Sequence, residues 1–150
     1  MIQPFKAISL TQPWATLVQR KVKRLETRSW YTAYRGPLVI HASKGFPRDC
    51  QDLLSVPEFY SGVGCRLASE LPRGVGLCVC NLRACVKTTE LHKLEVLGFR
   101  PSADEIPFCD FSEGRYAWLL EHFYDFIEPV PAKGALGLWT WPHEIYQAEF

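Results

Sequence analysis

The sequence predicts an α+β protein, a small mixed β-barrel with flanking helices, in which residues 1–150 form one domain. Twenty aromatic side chains (9 Phe, 6 Tyr, 5 Trp) exceed what a helical bundle uses and favour β structure. About six short β-type segments surround only one or two helical patterns. The longest β run, Val75 to Val86, carries glycine at position 76, as a bend in a closing barrel requires. At 47% hydrophobic, the chain can bury a core without a metal or a disulfide.

Ala7 to Leu10 reads as an opening strand. Thr11 is the expected N-cap of a helix running to about Arg20, with Pro13 early in it and Trp14, Leu17 and Val18 inward. Leu25 to Trp30 alternates, so a strand there sets Glu26, Arg28 and Trp30 on one face and Leu25, Thr27 and Ser29 on the other. A turn at Tyr34 to Pro37 leads into the apolar strand Leu38 to Ala42. Pro47, Pro57, Gly62, Gly64 and Pro72 cut residues 47–72 into two short helices, a helical insertion. In the strand from Val75, Cys78 and Cys80 share one face and read as small buried hydrophobes. Thr88 or Thr89 caps a short helix ending near Leu97 and Gly98, and residues 99–115 are a loop with three Phe and four acids. Tyr116 to Glu121 and Phe123 to Val130 are two strands, and a turn at Lys133 to Gly137 precedes a last strand through Leu138 and Trp139.

The formal charge of +1 conceals an asymmetry. Residues 1–50 hold nine Lys/Arg and two acids; residues 51–150 hold eight Lys/Arg and fourteen acids. The first third therefore supplies a basic patch on a chain too balanced to be a nonspecific nucleic-acid glue. Within residues 22–44, Lys23, Arg24, Arg28, Arg35 and Lys44 stand against one acid, Glu26, with Trp30, Tyr31, Tyr34 and His41 interleaved. Cations hold phosphate and flat rings stack bases, so this stretch points to a nucleic-acid or nucleoside site, RNA or DNA.

Other chemistries lack their residues. The six cysteines form no C-x-x-C pair, and the four histidines complete no zinc spacing, so no metal and no cofactor are expected. No P-loop or dinucleotide fingerprint is present. No apolar run approaches 18 residues and no signal-peptide core opens the chain, which excludes a membrane partner and makes a cytoplasmic location the expectation.

Several segments together resemble the ASCH domain family, a relative of the PUA domain of RNA-modifying enzymes. They are Ile8-Ser9-Leu10-Thr11-Gln12-Pro13-Trp14-Ala15, Lys23 to Trp30, Tyr34-Arg35-Gly36, Ile40-His41-Ala42, Lys133-Gly134 and Leu138-Trp139. Of the family signature G-x-K-x-x-E-x-R, the chain keeps Lys23, Glu26 and Arg28 and replaces the glycine by Lys21. The resemblance implies a PUA-like barrel that recognises RNA or a nucleoside in a basic, aromatic-lined cleft. Lys23, Arg28, Trp30, Arg35, Lys44 and Lys133 are the ligand-binding candidates. The alternative it implies is a metal-independent hydrolase acting on a modified nucleoside or on RNA, with Lys23 and Glu26 catalytic and Glu121 a weaker candidate for the base. A family amidohydrolase carries Thr three residues after its lysine, where this chain carries Glu26. A protein-interaction module using the Phe-rich loop 99–111 is the third reading.

Overall fold

A computed structural model describes residues 5–145. Six strands form one sheet: β1 (Lys6–Leu10), β2 (Leu25–Arg28), β3 (Gly36–Ala42), β4 (Val75–Lys87), β5 (Tyr116–Pro131) and β6 (Leu138–Thr140). Their order is β2-β5-β4-β3-β1-β6, with β1 and β3 parallel and the other pairs antiparallel. The sheet curls into a half-barrel, and α1 (Trp14–Gln19), α2 (Arg48–Asp52) and α3 (Pro57–Val63) flank it. This is the α+β, PUA-like architecture that the sequence predicts.

Curvature comes from the long strands. The β4–β5 register slips between Gly76 and Cys78, Val79 and Asn81, and Leu82 and Ala84, and each slip adds local twist. The two strands expected over 116–130 are one 16-residue strand, β5. His122, which separates them in sequence, is absorbed as an irregular residue at φ +53°. The inner face packs Ile8, Leu10, Leu38, Ile40, Cys78, Cys80, Leu82, Trp118 and Leu120 into the main core.

The first helix starts differently from its expected cap. Thr11 makes no side-chain cap; the buried Gln12 does that work from one residue further on. Its Oε1 accepts from Thr16 N–H at 3.1 Å, and its Nε2 donates to the Pro72 carbonyl at 2.8 Å. One amide thus satisfies an orphan helix donor and ties α1 to the segment after α3. Thr88 does not cap the following turn either; its hydroxyl donates to the Ser112 carbonyl, and residues 88–97 form 3-10 turns ended by Gly98 at φ +80°.

The loop at 99–115 is built into the core. Glu105 is 4% exposed, and its Oε1 accepts from the backbone N–H groups of Arg24 and Leu25, the latter at 2.7 Å. A buried carboxylate with two N–H donors pins the start of β2. Lys21 makes the turn into β2 at φ +64°, the left-handed region that glycine enters freely. A side chain there costs about 1–2 kcal/mol. Lys21→Gly should therefore raise stability by about 0.5–1 kcal/mol after the added flexibility of the unfolded chain is deducted. Urea unfolding measures it; an unchanged or lower midpoint contradicts this account of the turn.

Candidate functional site

β2 and β1 are separated by three strands in the hydrogen-bonded order, yet the curl brings them face to face. Arg28 bridges the gap: its Nη2 donates to the Ser9 carbonyl at 3.1 Å and lies 3.5 Å from Glu26 Oε2. Glu26 Oε1 lies 3.4 Å from Lys23 Nζ and accepts from Thr27 N–H at 3.0 Å. Lys23 is 2% exposed, and its ammonium also donates to the Leu25 carbonyl and lies 3.9 Å from Cys109 Sγ. A cation, an anion and a second cation are thus strung along the mouth of the half-barrel, each with further hydrogen bonds, as buried charge demands.

This chain of charges borders a cavity of about 360 Å³. Ser9, Leu10, Thr11, Trp14, Thr27 and Phe108 line it beside Lys23, Glu26 and Arg28; Cys50, Asp110 and Arg115 complete the wall. The rings are braced from behind. Phe59 of α3 meets Trp14 edge-on at 5.2 Å and Phe108 edge-on at 5.0 Å. Residues of 47–72 therefore hold the aromatic wall in place. Arg115 donates to the Thr27 carbonyl at 2.9 Å and lies 3.3 Å from Asp110, which fixes the far rim.

Neither cysteine near the cavity is primed as a nucleophile. Burial pushes the Cys109 thiol up to about 11, against the pull of the Lys23 ammonium and with a further push from Glu105 and Glu26. Burial, with Asp49 beside it, also raises Cys50. A nucleophilic thiol needs the opposite shift. Among the described residues no group of three or more His, Cys, Asp or Glu side chains is placed to hold a metal ion.

A second cavity, of about 870 Å³, adjoins the first across Ser9, Thr11 and Arg28. Lys44 and Lys133 line it, with His41, Ser43 and the 132–137 segment. His41 forms its inner wall through a fixed tautomer. Its Nε2–H donates to the Ala132 carbonyl at 2.8 Å, so its Nδ1 accepts from the Ser9 hydroxyl at 2.9 Å. Trp139 Nε1 donates to that hydroxyl at 3.2 Å. Gly134 lies against the same group: a Cβ there would stand 2.5 Å from Ser9 Oγ and 2.9 Å from His41 Cε1.

Among the candidates drawn from the sequence, Lys23, Glu26 and Arg28 share the first cavity, and Arg28, Lys44 and Lys133 share the second. Trp30 lines neither; β2 ends at Arg28, and Trp30 packs edge-on against Trp118 at 4.8 Å. The alternation that put Trp30 beside Arg28 stops with the strand. Arg35 borders neither cavity, because its guanidinium donates to the carbonyls of Thr32 and Tyr34 at 2.8 and 2.7 Å. Glu121 lies 3.8 Å from Arg24, away from both. Ser9, Phe108, Asp110 and Arg115 were not singled out in the sequence. Ser9 is one polar residue in an apolar strand, a weak signal; Phe108 and Asp110 belong to the Phe-rich loop 99–111 read as an exposed contact, and that loop, with Arg115 just beyond it, becomes cavity wall only when it folds back on β2.

A curled mixed sheet of this kind, a half-barrel flanked by short helices, is a PUA-like α+β fold. The ASCH domain family model matches residues 8–128, and the chain belongs to that family. Activating signal cointegrator 1 from Homo sapiens is 27% identical over 142 residues, covering 93% of this chain, and its Mus musculus counterpart is 26% identical over the same share. The chain spans 23% of the length of these curated relatives. Two crystal structures of ASCH from Zymomonas mobilis share the fold at 15% identity. A point mutant has a TM-score of 0.51, covering 98% of this chain and 94% of that one. The other has a TM-score of 0.50, covering 97% and 90%.

Two outcomes are expected from the site's electrostatics. Lys23→Met removes one of the two cations beside the buried Glu26 carboxylate, leaving Arg28, and should lower stability by about 1–3 kcal/mol. Lys23→Met combined with Glu26→Gln should recover part of that loss; urea midpoints for both variants decide it. His41 is the second. Burial lowers its pKa below the ordinary 6.5, and the hydrogen bond to Ala132 only partly opposes this. The unfolded chain then binds its proton first as pH falls, so the neutral histidine's contribution is complete above 6.5 and is lost as pH falls toward the folded pKa. The Tm advantage of the natural chain over His41→Gln should shrink between about pH 7.5 and 5.5. A constant difference across that range excludes the linkage.

Proposed function

We propose that this chain recognises a base of single-stranded RNA, or the base of a modified nucleoside, in the cavity beside Lys23, Glu26 and Arg28. One observation carries the reading: the cavity sets braced rings, Trp14 and Phe108, beside paired charges of both signs. Unpaired bases are bound by ring faces and by donors and acceptors on their edges. Arg28 and Arg115 offer donors there, and Glu26 and Asp110 offer acceptors. A volume of about 360 Å³ lies within the roughly 300–1,000 Å³ of small-ligand sites.

The hydrolytic alternative finds less support in the same residues. Lys23 spends its ammonium on the Leu25 carbonyl and on Glu26. A nucleophilic or shuttling lysine needs its nitrogen free to reach the substrate, and here the Leu25 carbonyl and the Glu26 carboxylate at 3.4 Å hold it in place. Lys23 therefore serves as the frame that holds Glu26 toward the ligand. Among the described residues no helix is long and apolar enough to cross a membrane.

The test is titration of the full chain with a fluorescent random-sequence RNA decamer over a salt series. Binding should weaken as salt rises. Arg28→Gln should reduce affinity about tenfold, the loss of one charge-assisted hydrogen bond of about 1.4 kcal/mol. A parallel Tm measurement separates this from unfolding. Incubation with acetylated cytidine and with the decamer should give no turnover. Turnover that disappears in Lys23→Arg would make the hydrolase the better reading.

A further inference from the structure

The two adjoining cavities differ in charge. The first carries acids and bases together; the second is lined by Arg28, Lys44 and Lys133 and by no carboxylate. Arg28 is offset by Glu26 at 3.5 Å. Lys44 and Lys133 are exposed, and among the described residues neither forms an ion pair. The two lysines arrive from different parts of the chain, one just after β3 and the other just after β5. Their backbones are held in place: Arg73 donates to the Lys44 carbonyl at 3.3 Å, and Ala132 N–H donates to the Gly74 carbonyl at 3.2 Å. The N–H groups of residues 133–137 donate to no backbone carbonyl among the described residues. Gly134 keeps that segment's backbone against Ser9 and His41, where a side chain would intrude. His41 adds no competing anion, and its neutral ring closes the inner wall.

Unbalanced lysines and uncommitted N–H groups around one concavity favour an anion with several acceptor oxygens. The shared border at Ser9, Thr11 and Arg28 places that anion one step from the base cavity. We infer that the second cavity is a phosphate subsite, so that the ligand is a nucleotide within a strand: its base enters the first cavity, and its backbone phosphate lies between Lys44 and Lys133. A free nucleoside fills the first cavity and leaves these cations uncompensated. This inference rests on the base-binding reading and narrows its ligand class to phosphodiester-linked or phosphorylated nucleotides.

The experiment compares four ribonucleosides, their 3′- and 5′-monophosphates, and the RNA decamer by calorimetric titration of the full chain. At least one monophosphate should bind about tenfold tighter than its nucleoside, equivalent to about 1.4 kcal/mol. Lys44→Ser with Lys133→Ser should erase that factor and leave nucleoside affinity unchanged. Lys44→Arg with Lys133→Arg should keep it. For the decamer, the slope of log K against log salt should fall by about 0.7 for each phosphate that the double serine variant no longer neutralises. Equal affinity of nucleoside and monophosphate, or a phosphate increment that survives the double serine variant, overturns the subsite and leaves the base cavity standing. Binding of no probe at all overturns both.

Discussion

The fold depends on how its open sheet is held closed at the mouth. β2 lies at one edge and β1 beside the other, and no hydrogen-bond ladder joins them. The join is a row of charges: Lys23 to Glu26, Glu26 to Arg28, and Arg28 to the Ser9 carbonyl. Charge in that position is expensive to desolvate, so each group needs its partners in place. Closure and the shape of the cavity are therefore one property. The residues that keep the half-barrel from opening are also residues that line the cavity.

Glu105 shows how far that constraint reaches. Its carboxylate accepts two backbone N–H groups at the entrance to β2 and fixes the strand that carries Glu26 and Arg28. The same loop brings Phe108 and Asp110 to the cavity wall and Cys109 against Lys23. On the other side, the Gln12 amide locks α1 to the chain after α3, which holds Trp14 and Phe59 in register. Rings and charges are thus held in place by elements outside the signature.

Ser9 connects the two cavities. Its carbonyl takes Arg28 from the first, and its hydroxyl joins His41 and Trp139 at the second. A change of charge on His41 would disturb the hydroxyl that neighbours the Arg28 contact. Burial lowers the pKa of His41 below the ordinary 6.5 and so favours the neutral ring that the Ser9 and Ala132 contacts use.

Much of this protein could be read from its sequence. Period-2 alternation over residues 25–30, of which the strand keeps 25–28, and the apolar runs at 38–42 and 75–86 set the strands, and K-x-x-E-x-R put Lys23, Glu26 and Arg28 together, because the strand sets Glu26 and Arg28 on one face with Lys23 at its entrance. The positive φ at Lys21 stands where the signature has glycine, so even the departure carried information. Tertiary structure alone decided the rest. Trp30 left the site because its strand ended two residues earlier, and Arg35 because nearby carbonyls took its donors. The loop at 99–115 became a wall because Glu105 found two backbone N–H groups about 80 residues earlier in the chain. Local pattern fixes which face a side chain shares with its neighbours. Which distant backbone groups need a partner is settled only when the sheet curls and buries them.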